Sequence, residues 1–547
     1  MVQPRPEPWP PGARTAARPA GSELRWEGDP TWLRAAIAAE ATARQRRGEV
    51  LRELETRRVQ AVVVEGENVE VLVKEFEERG AASRVRRLLG LSRADREWHA
   101  SGRLGRAGVP HVGYLVRGRT GRFTRHPRDV LVAPFIPEAR TLEEVAIDPS
   151  GLTACARRAL SRDLGRLIAR LHAAGLVHRD LHPGNILVTP HGELLLIDLH
   201  RVRSRRWEGP RGTERDLTDL AHFFLTRSSR ADRLRLLKTY WGEVGRLRPP
   251  QRAATRRLGE AALQSLRRFL RRRERRAMRS GRDYRRAEVF GLTGFMAREP
   301  LASRTLDLLL SPTGEDFGLE GELLHSTSSS RILCCRTARG PVCVKIYEEP
   351  GIGGLAKRLW RGSRGQRAWL GYQRLALRGV PVPFPLLYLE EAWYSPRRRS
   401  LVVTRFVEDA PHLKTYLADS PDHPQERREV LRRLARALRR LHDLALRDRD
   451  LKAENILVDR AGPNALVIDP DGVAPLRPGD RHTVAADLAR LNASFPHPGP
   501  VAPKERLRFL DDYLTAGLTP PPDRSVLRRD IVRLTSAKWQ LWEKRST

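Results

Sequence analysis

Two short stretches of this chain hold the residue types that phosphoryl transfer needs. In His178-Arg179-Asp180-Leu181-His182-Pro183-Gly184-Asn185 an Asp precedes an Asn by five positions, and Ile197-Asp198 ends the next apolar run. Far downstream, Asp448-Arg449-Asp450-Leu451-Lys452-Ala453-Glu454-Asn455 repeats the pattern and Ile468-Asp469 follows it. Transfer to a hydroxyl requires an acid–base group at the acceptor and oxygen ligands for the magnesium that neutralises the phosphates. Asp180 and Asp450 meet the first need as catalytic bases. Asn185 with Asp198, and Asn455 with Asp469, meet the second as metal ligands. A loop Asp that merely caps a helix is the plain alternative for either base, and the recurrence of the whole set speaks against it.

Phosphates also need a cation. Lys74 and Lys345 each end an alternating apolar run, where an ammonium can reach the α- and β-phosphates of ATP. A solvated strand lysine is the ordinary alternative. Yet only nine of the 101 basic residues are Lys, and both halves keep Lys at the matched place. The planar fork of Arg cannot replace a compact ammonium there. His182 and Lys452, two residues after each base, stand where a donor could touch the transferring phosphate. For His182 a packing role competes with that reading.

The lysine needs an acidic partner from the next helix. Glu97, in Arg96-Glu97-Trp98, lies 23 positions after Lys74; at the same distance from Lys345 lies Ala368, in Arg367-Ala368-Trp369. The flanking Arg and Trp agree, so the acid is missing from the second half. Asp216 and Asp487 read as helix-opening residues that bond back to the loop backbone. No G-x-G-x-x-G precedes Lys74: the matching turn, Glu53 to Arg58, lacks glycine, and its counterpart, His325 to Arg331, is rich in serine. The short step from Asp198 to Asp216, with no Ala-Pro-Glu after it, leaves little room for an activation segment or a peptide platform.

The elements that must hold these residues also repeat. Gly48-Glu49-Val50-Leu51 and Gly321-Glu322-Leu323-Leu324 open strand patterns that run to the lysines through glycine turns, Gly66 and Gly340. A basic helix, Gly-Val-Pro (108–110 and 379–381), an apolar strand and a helix ending in Leu-His follow in each half. The interval from Lys74 to Asp180 matches that from Lys345 to Asp450 within one residue, and the interval from Asp198 to Asp216 equals that from Asp469 to Asp487. The expected fold class is α+β: two tandem bilobal domains, each with a small β-rich lobe and a helical lobe. The expected boundaries are an extension over 1–40, a first domain over 41–245, an Arg-rich helical connection over 246–315 and a second domain over 316–547. Within the connection, Arg246 to Arg286 holds sixteen Arg against three acids, and Leu258, Ala262, Leu266, Phe269 and Leu270 form a helical apolar stripe.

Composition bounds the rest. The chain has 547 residues, enough for two cores, and a formal charge of +35. The excess of Arg fits either a biased composition or attraction to anionic partners such as nucleotide, glycolipid, membrane surface or nucleic acid. Four cysteines without C-x-x-C spacing offer no zinc or redox framework. Met1 to Gly21 lacks the apolar core of a signal peptide, and no run is long enough to span a bilayer. A cytoplasmic protein is expected, at most peripheral at the inner face of the membrane.

Taken together, Lys74, Glu97 in Arg-Glu-Trp, Gly108-Val109-Pro110, the loop from His178 to Asn185 and the short step to Asp216 resemble the lipopolysaccharide kinase family that phosphorylates Kdo or heptose. The similarity covers about residues 45–290 and again about 318–515. It implies a protein-kinase-like fold, ATP with Mg2+ as cofactors, and a sugar hydroxyl of an anionic glycolipid as acceptor. Ala368, and Asp448 in place of the loop histidine, depart from the family pattern and put the second half's activity in question. Two other readings compete: a protein Ser/Thr kinase, and a pseudokinase scaffold bound to membrane or nucleic acid. Few aromatics interleave the Arg-rich stretch and no nucleic-acid motif appears, so no specific nucleic-acid partner is expected.

Overall fold

β-Branched residues crowd the stretch from Glu49 to Glu77, and three antiparallel strands form there. The computed structural model describes residues 15–546 apart from 18–22, 46, 55–56, 65–68, 122–123, 125, 149, 208, 246–250, 290, 300–301, 303–316, 318, 352–358, 396–397, 420–422, 461, 463 and 497. Gly66, residues 1–14 and 18–22 of the expected extension, and residues 246–250, 290, 300–301 and 303–315 of the expected connection lie outside the described residues. The chain divides into two compact units, Met1–Ser265 and Leu266–Thr547.

In the first unit the strands are β1 (Thr15–Ala17), β2 (Leu24–Gly28), β3 (Glu49–Leu54), β4 (Arg57–Val64), β5 (Val69–Glu77), β6 (Val116–Thr120) and β7 (Arg128–Pro134). They form one seven-stranded sheet in the order β1-β2-β6-β7-β5-β4-β3. Helix α1 (Leu33–Arg44) packs Ala35, Ala36, Ala39 and Ala43 against Trp26, Val62, Val71 and Val73. Residues 24–40, expected as part of an extension, therefore belong with the first unit's core. The small alanine face lets the helix approach the sheet closely, and the fully buried Trp26 fills the space beside it.

Helices α2 (Ala81–Leu88) and α3 (Arg93–Arg106) follow β5. The helical lobe is built on Ala154–Ala173, capped by the Thr153 hydroxyl, with Leu164, Leu167, Ile168 and Leu171 along its buried face. That spacing is one helical stripe, and it packs on Leu181, Ile186, Leu196 and Leu217.

The second unit repeats the plan. Its seven strands lie in the order 284–289, 292–297, 385–390, 400–405, 340–347, 330–337, 322–327, which matches the first sheet position by position. Residues 284–297, read from sequence as part of a helical connection, are thus two strands of this sheet: Ala287, Leu292 and Met296 alternate into its core. Helix Pro424–Asp443 carries the long stripe Val430, Leu431, Leu434, Leu438 and Leu441. The Arg-rich stretch forms helix Gln251–Glu274, and Leu258, Ala262, Leu266 and Leu270 are buried while Phe269 is exposed. No helix among the described residues is long and apolar enough to cross a membrane. Cys155, Cys334, Cys335 and Cys343 are not joined in disulfides, and burial pushes the Cys343 thiol pKa up to about 11.

Candidate active site

Lys74 sits on β5 between Val59 of β4 and Leu131 of β7, in the middle of the first sheet. Its Nζ lies 2.8 and 2.7 Å from the two carboxylate oxygens of Glu97. Glu97 is fully buried in the second turn of α3, whose start is locked by a Ser92–Asp95 capping box and by the ion pair of Asp95 with Arg117 of β6. The Tyr114 hydroxyl donates to Glu97 Oε2 at 2.7 Å, and burial holds its pKa well above the ordinary tyrosine value. Removing one partner of such a buried pair costs about 3–5 kcal/mol, so Lys74 and Glu97 hold each other in place.

Asp198 completes this cluster. It adopts a left-handed conformation (φ 57°) before the turn Leu199–Arg201, and its Oδ1 lies 3.6 Å from Lys74 Nζ. Arg57 Nη1 donates to both of its oxygens, at 3.1 and 3.0 Å. His200 Nδ1 is 2.9 Å from Asp198 Oδ1, and His200 Nε2 is 3.1 Å from Arg93 Nη2. A guanidinium only donates, so Nε2 accepts and Nδ1 carries the proton that bonds Asp198. Burial opposes ionisation of Asp198, but the His200 bond and the charges of Lys74 and Arg57 outweigh it and hold the carboxyl well below its usual range.

The loop before it is fixed by Asp216. That residue lies inside helix Gly209–Phe224, not at its start as read from sequence, and accepts the backbone amides of His178 at 2.6 Å and Arg179 at 2.7 Å. Its second function, bonding the loop, is as expected. The two bonds over-determine Arg179, whose φ of 63° is strained for a side-chain-bearing residue. Asp180 follows, partly exposed, with Arg201 Nη1 3.7 Å from its Oδ2. Asn185 Nδ2 donates to Asp180 O at 3.0 Å, and Ile197 N donates to Asn185 O at 3.0 Å, which seats Asn185 beside the strand that leads to Asp198. His182 Nδ1 accepts Gly184 N at 3.2 Å, the local role that competes with phosphate contact. A Cβ on Gly184 would meet Glu143 Oε2 at 2.8 Å, so a larger residue there would require that carboxylate to shift.

Asp198 and Asn185 present hard oxygen donors, as magnesium prefers. Glu97, Asp198 and His200 also bring potential ligand atoms within 4.8 Å of one another. Glu97, however, is committed to Lys74 and Tyr114, and both ring nitrogens of His200 are engaged. Asn185 and Asp198 supply oxygen donors of the kind expected, and both oxygens of Asp198 accept from Arg57 in this structure.

In the second unit Lys345 Nζ lies 2.7 Å from Asp469 Oδ1, and Asp469 repeats the left-handed turn (φ 58°). Ala368 is buried among Tyr347, Trp369, Tyr372 and Tyr388, so aromatic packing stands where the first unit has its acid. Asn455 Nδ2 donates to Asp450 O and Oδ2, both at 3.0 Å, and Lys452 Nζ lies 3.2 Å from Asp450 Oδ2. Asp487, inside helix Arg481–Ala493, takes the guanidinium of Arg447 at 2.6 Å. Asp448 accepts Asp450 N at 3.0 Å and is buried; burial and nearby carboxylates push it up to about 7.

Sequence reasoning missed Arg57, Tyr114 and His200. His200 was findable as a ring two positions after Asp198, whereas Arg57 carries no local signal. Strand register alone reveals its place: Arg57 pairs with Phe76, and in the second sheet Ser330 pairs with the equivalent Tyr347.

The lipopolysaccharide kinase (Kdo/WaaP) family profile matches residues 41–240 and 343–516. A solved structure of WaaP in complex with acyl carrier protein is similar at 26% identity and a TM-score of 0.34, over 45% of this chain and 97% of that one. Shorter likenesses run to cyclin-dependent kinase F-1 of Oryza sativa subsp. japonica (37% over 81 residues, 14% of this chain) and to PknL of Mycobacterium tuberculosis (39% over 84 residues, 15% of this chain). PknA of Mycobacterium tuberculosis is 59% identical over 34 residues, 6% of this chain. These stretches span only 17%, 20% and 8% of the respective relatives.

Proposed function

Because the chain belongs to the lipopolysaccharide kinase (Kdo/WaaP) family and is thus a phosphotransferase with an alcohol group as acceptor, we propose that its first unit transfers the γ-phosphate of ATP to a sugar hydroxyl of lipopolysaccharide core or a similar anionic glycolipid. The observation that carries this reading is the complete set in that unit, with Lys74 held 2.7 Å from Glu97. Asp180 receives the proton of the attacking hydroxyl. Lys74, aimed by Glu97, pairs with the α- and β-phosphates, and His182 contacts the transferring group. Asn185 and Asp198 would hold Mg2+, which when bound offsets negative charge on the phosphates. The low pKa of Asp198 keeps that ligand ionised at any working pH.

The second unit keeps Lys345, Lys452, Asn455 and Asp469 for nucleotide but lacks the acid that aims the lysine. It serves as a regulatory or acceptor-binding partner, with Asp450 of no catalytic consequence. Helix Gly209–Phe224 begins soon after Asp198 and leaves little space for a peptide platform, which favours a glycolipid over a protein acceptor. A peripheral position at the inner face of the cytoplasmic membrane would bring the enzyme to such an acceptor. The test is ATP turnover by the full chain with purified lipopolysaccharide, with a generic protein, and with no acceptor. Stimulation by lipopolysaccharide alone is expected; stimulation by the protein alone would overturn the reading.

A further inference from the structure

We propose that α2 and the turn after it, residues 81–91, dock the first unit on an anionic bilayer, and that Leu359 and Trp360 do the same for the second. The segment reads Ala-Ala-Ser-Arg-Val-Arg-Arg-Leu-Leu-Gly-Leu. Val85, Leu88 and Leu89 fall at i, i+3 and i+4, which makes one stripe along the helix. In a core-facing helix that stripe is buried; here all three are exposed, Leu89 at 68%, and Leu91 beyond them is exposed as well. Arg84 and Arg86, also exposed, flank the stripe.

The reverse face explains why the stripe points outward. Arg87 is buried, donating from Nε to Asp129 Oδ1 at 3.1 Å and from Nη2 to the Thr120 carbonyl at 2.7 Å. Arg119 Nη2 in turn donates to the Arg87 carbonyl at 2.8 Å. These bonds pin the helix to β6 and β7 through its polar side. The fold thus uses an arginine as the anchor and leaves the leucines in solvent.

The second unit supplies an independent copy. Counting from the matched lysines, Leu88 and Leu89 fall on Leu359 and Trp360, and Ser92 falls on Ser363. Both serines cap the next helix, Ser92 accepting Asp95 N and Ser363 accepting Gln366 N, so the correspondence holds in the structure. Leu359 is 69% and Trp360 91% exposed. An apolar pair at the same position of two folded units, contributing to neither core, points outside the molecule.

Charge decides the partner. No acidic residue lies between Glu78 and Asp95, or between Glu349 and Glu390, while Arg recurs through both segments. A basic amphipathic element with leucines and an exposed tryptophan suits the boundary between anionic headgroups and acyl chains. Helix Gln251–Glu274 has more charge, but most of its apolar stripe is buried, so it offers charge without insertion.

The inference does not depend on the acceptor assigned above, because its test measures binding without turnover. The full chain is floated with vesicles of phosphatidylcholine alone, and of phosphatidylcholine with about 30% phosphatidylglycerol, at low and high salt. Binding to the anionic vesicles only, weakened by salt, is expected. The variant Leu88→Ser, Leu89→Ser, Leu359→Ser, Trp360→Ser should bind about tenfold more weakly. Arg271→Gln with Arg272→Gln should bind within about twofold of the parent chain. These side chains are exposed, so unchanged thermal unfolding confirms folding. Vesicle binding that survives the apolar replacement overturns the proposal. So does a parent chain that binds no vesicle, or one whose self-association, and not its lipid binding, is what the replacement removes.

Discussion

Arg57 Nη1 lies 3.1 and 3.0 Å from the two carboxylate oxygens of Asp198, 141 positions further along the chain. The contact ties the first residue of β4 to a proposed magnesium ligand. Its counterpart in the second sheet is Ser330, and there Lys345 Nζ lies 2.7 Å from Asp469 Oδ1. Arg57→Ser should therefore loosen Asp198 and lower phosphotransfer by about tenfold or more, with a shifted dependence on magnesium concentration. A variant whose rate and magnesium titration both match the parent chain would remove Arg57 from the site.

Asp180→Asn should abolish transfer while nucleotide binding survives, because the change removes the base and no phosphate contact. The loop geometry should persist, since Asn185 bonds the Asp180 carbonyl and not its side chain. Transfer measured within about threefold of the parent chain would sink the assignment.

Asp450→Asn should leave overall activity nearly unchanged. Ala368 leaves Lys345 without an acid from the helix that follows its strand, and preorganised charge is where the catalytic gain lies. A kinase assay on this variant beside Asp180→Asn decides the matter. Loss of transfer in Asp450→Asn alone would reverse the roles given to the two units.

Asp448 makes the second unit sensitive to pH. Burial first, then the charges of Asp487, Asp450 and Asp471, raise its folded pKa to about 7 from an ordinary 3.8. A carboxyl raised on folding stabilises below its unfolded pKa, and that contribution is lost as pH rises through the folded value. The parent chain's second unit should thus lose thermal stability between about pH 4 and 7. Asp448→Asn keeps an oxygen for the Asp450 amide and should flatten that dependence. Calorimetry of both full chains, with equal slopes in the two, would contradict the assignment.

The sequence by itself determined the repeat and the bilobal plan, and it nominated part of the candidate site. Lys74, Glu97, Asp180, Asn185 and Asp198 sit on recurrent local patterns whose spacing follows from strand and helix periods. The missing acid at Ala368 was legible for the same reason, since its Arg and Trp neighbours persist. Where the N-terminal strands and residues 284–297 belong was not legible. Short strands far from their partners take their place from pairing across the sheet, which no local pattern encodes. Arg57 is the clearest case. Its role depends on the register of β4 against β5 and on a turn 141 positions away, and only the tertiary structure brings that guanidinium onto Asp198. The outward leucines of α2 belong with it: their spacing predicts a buried face, and the buried bonds of Arg87 decide that the helix faces the other way.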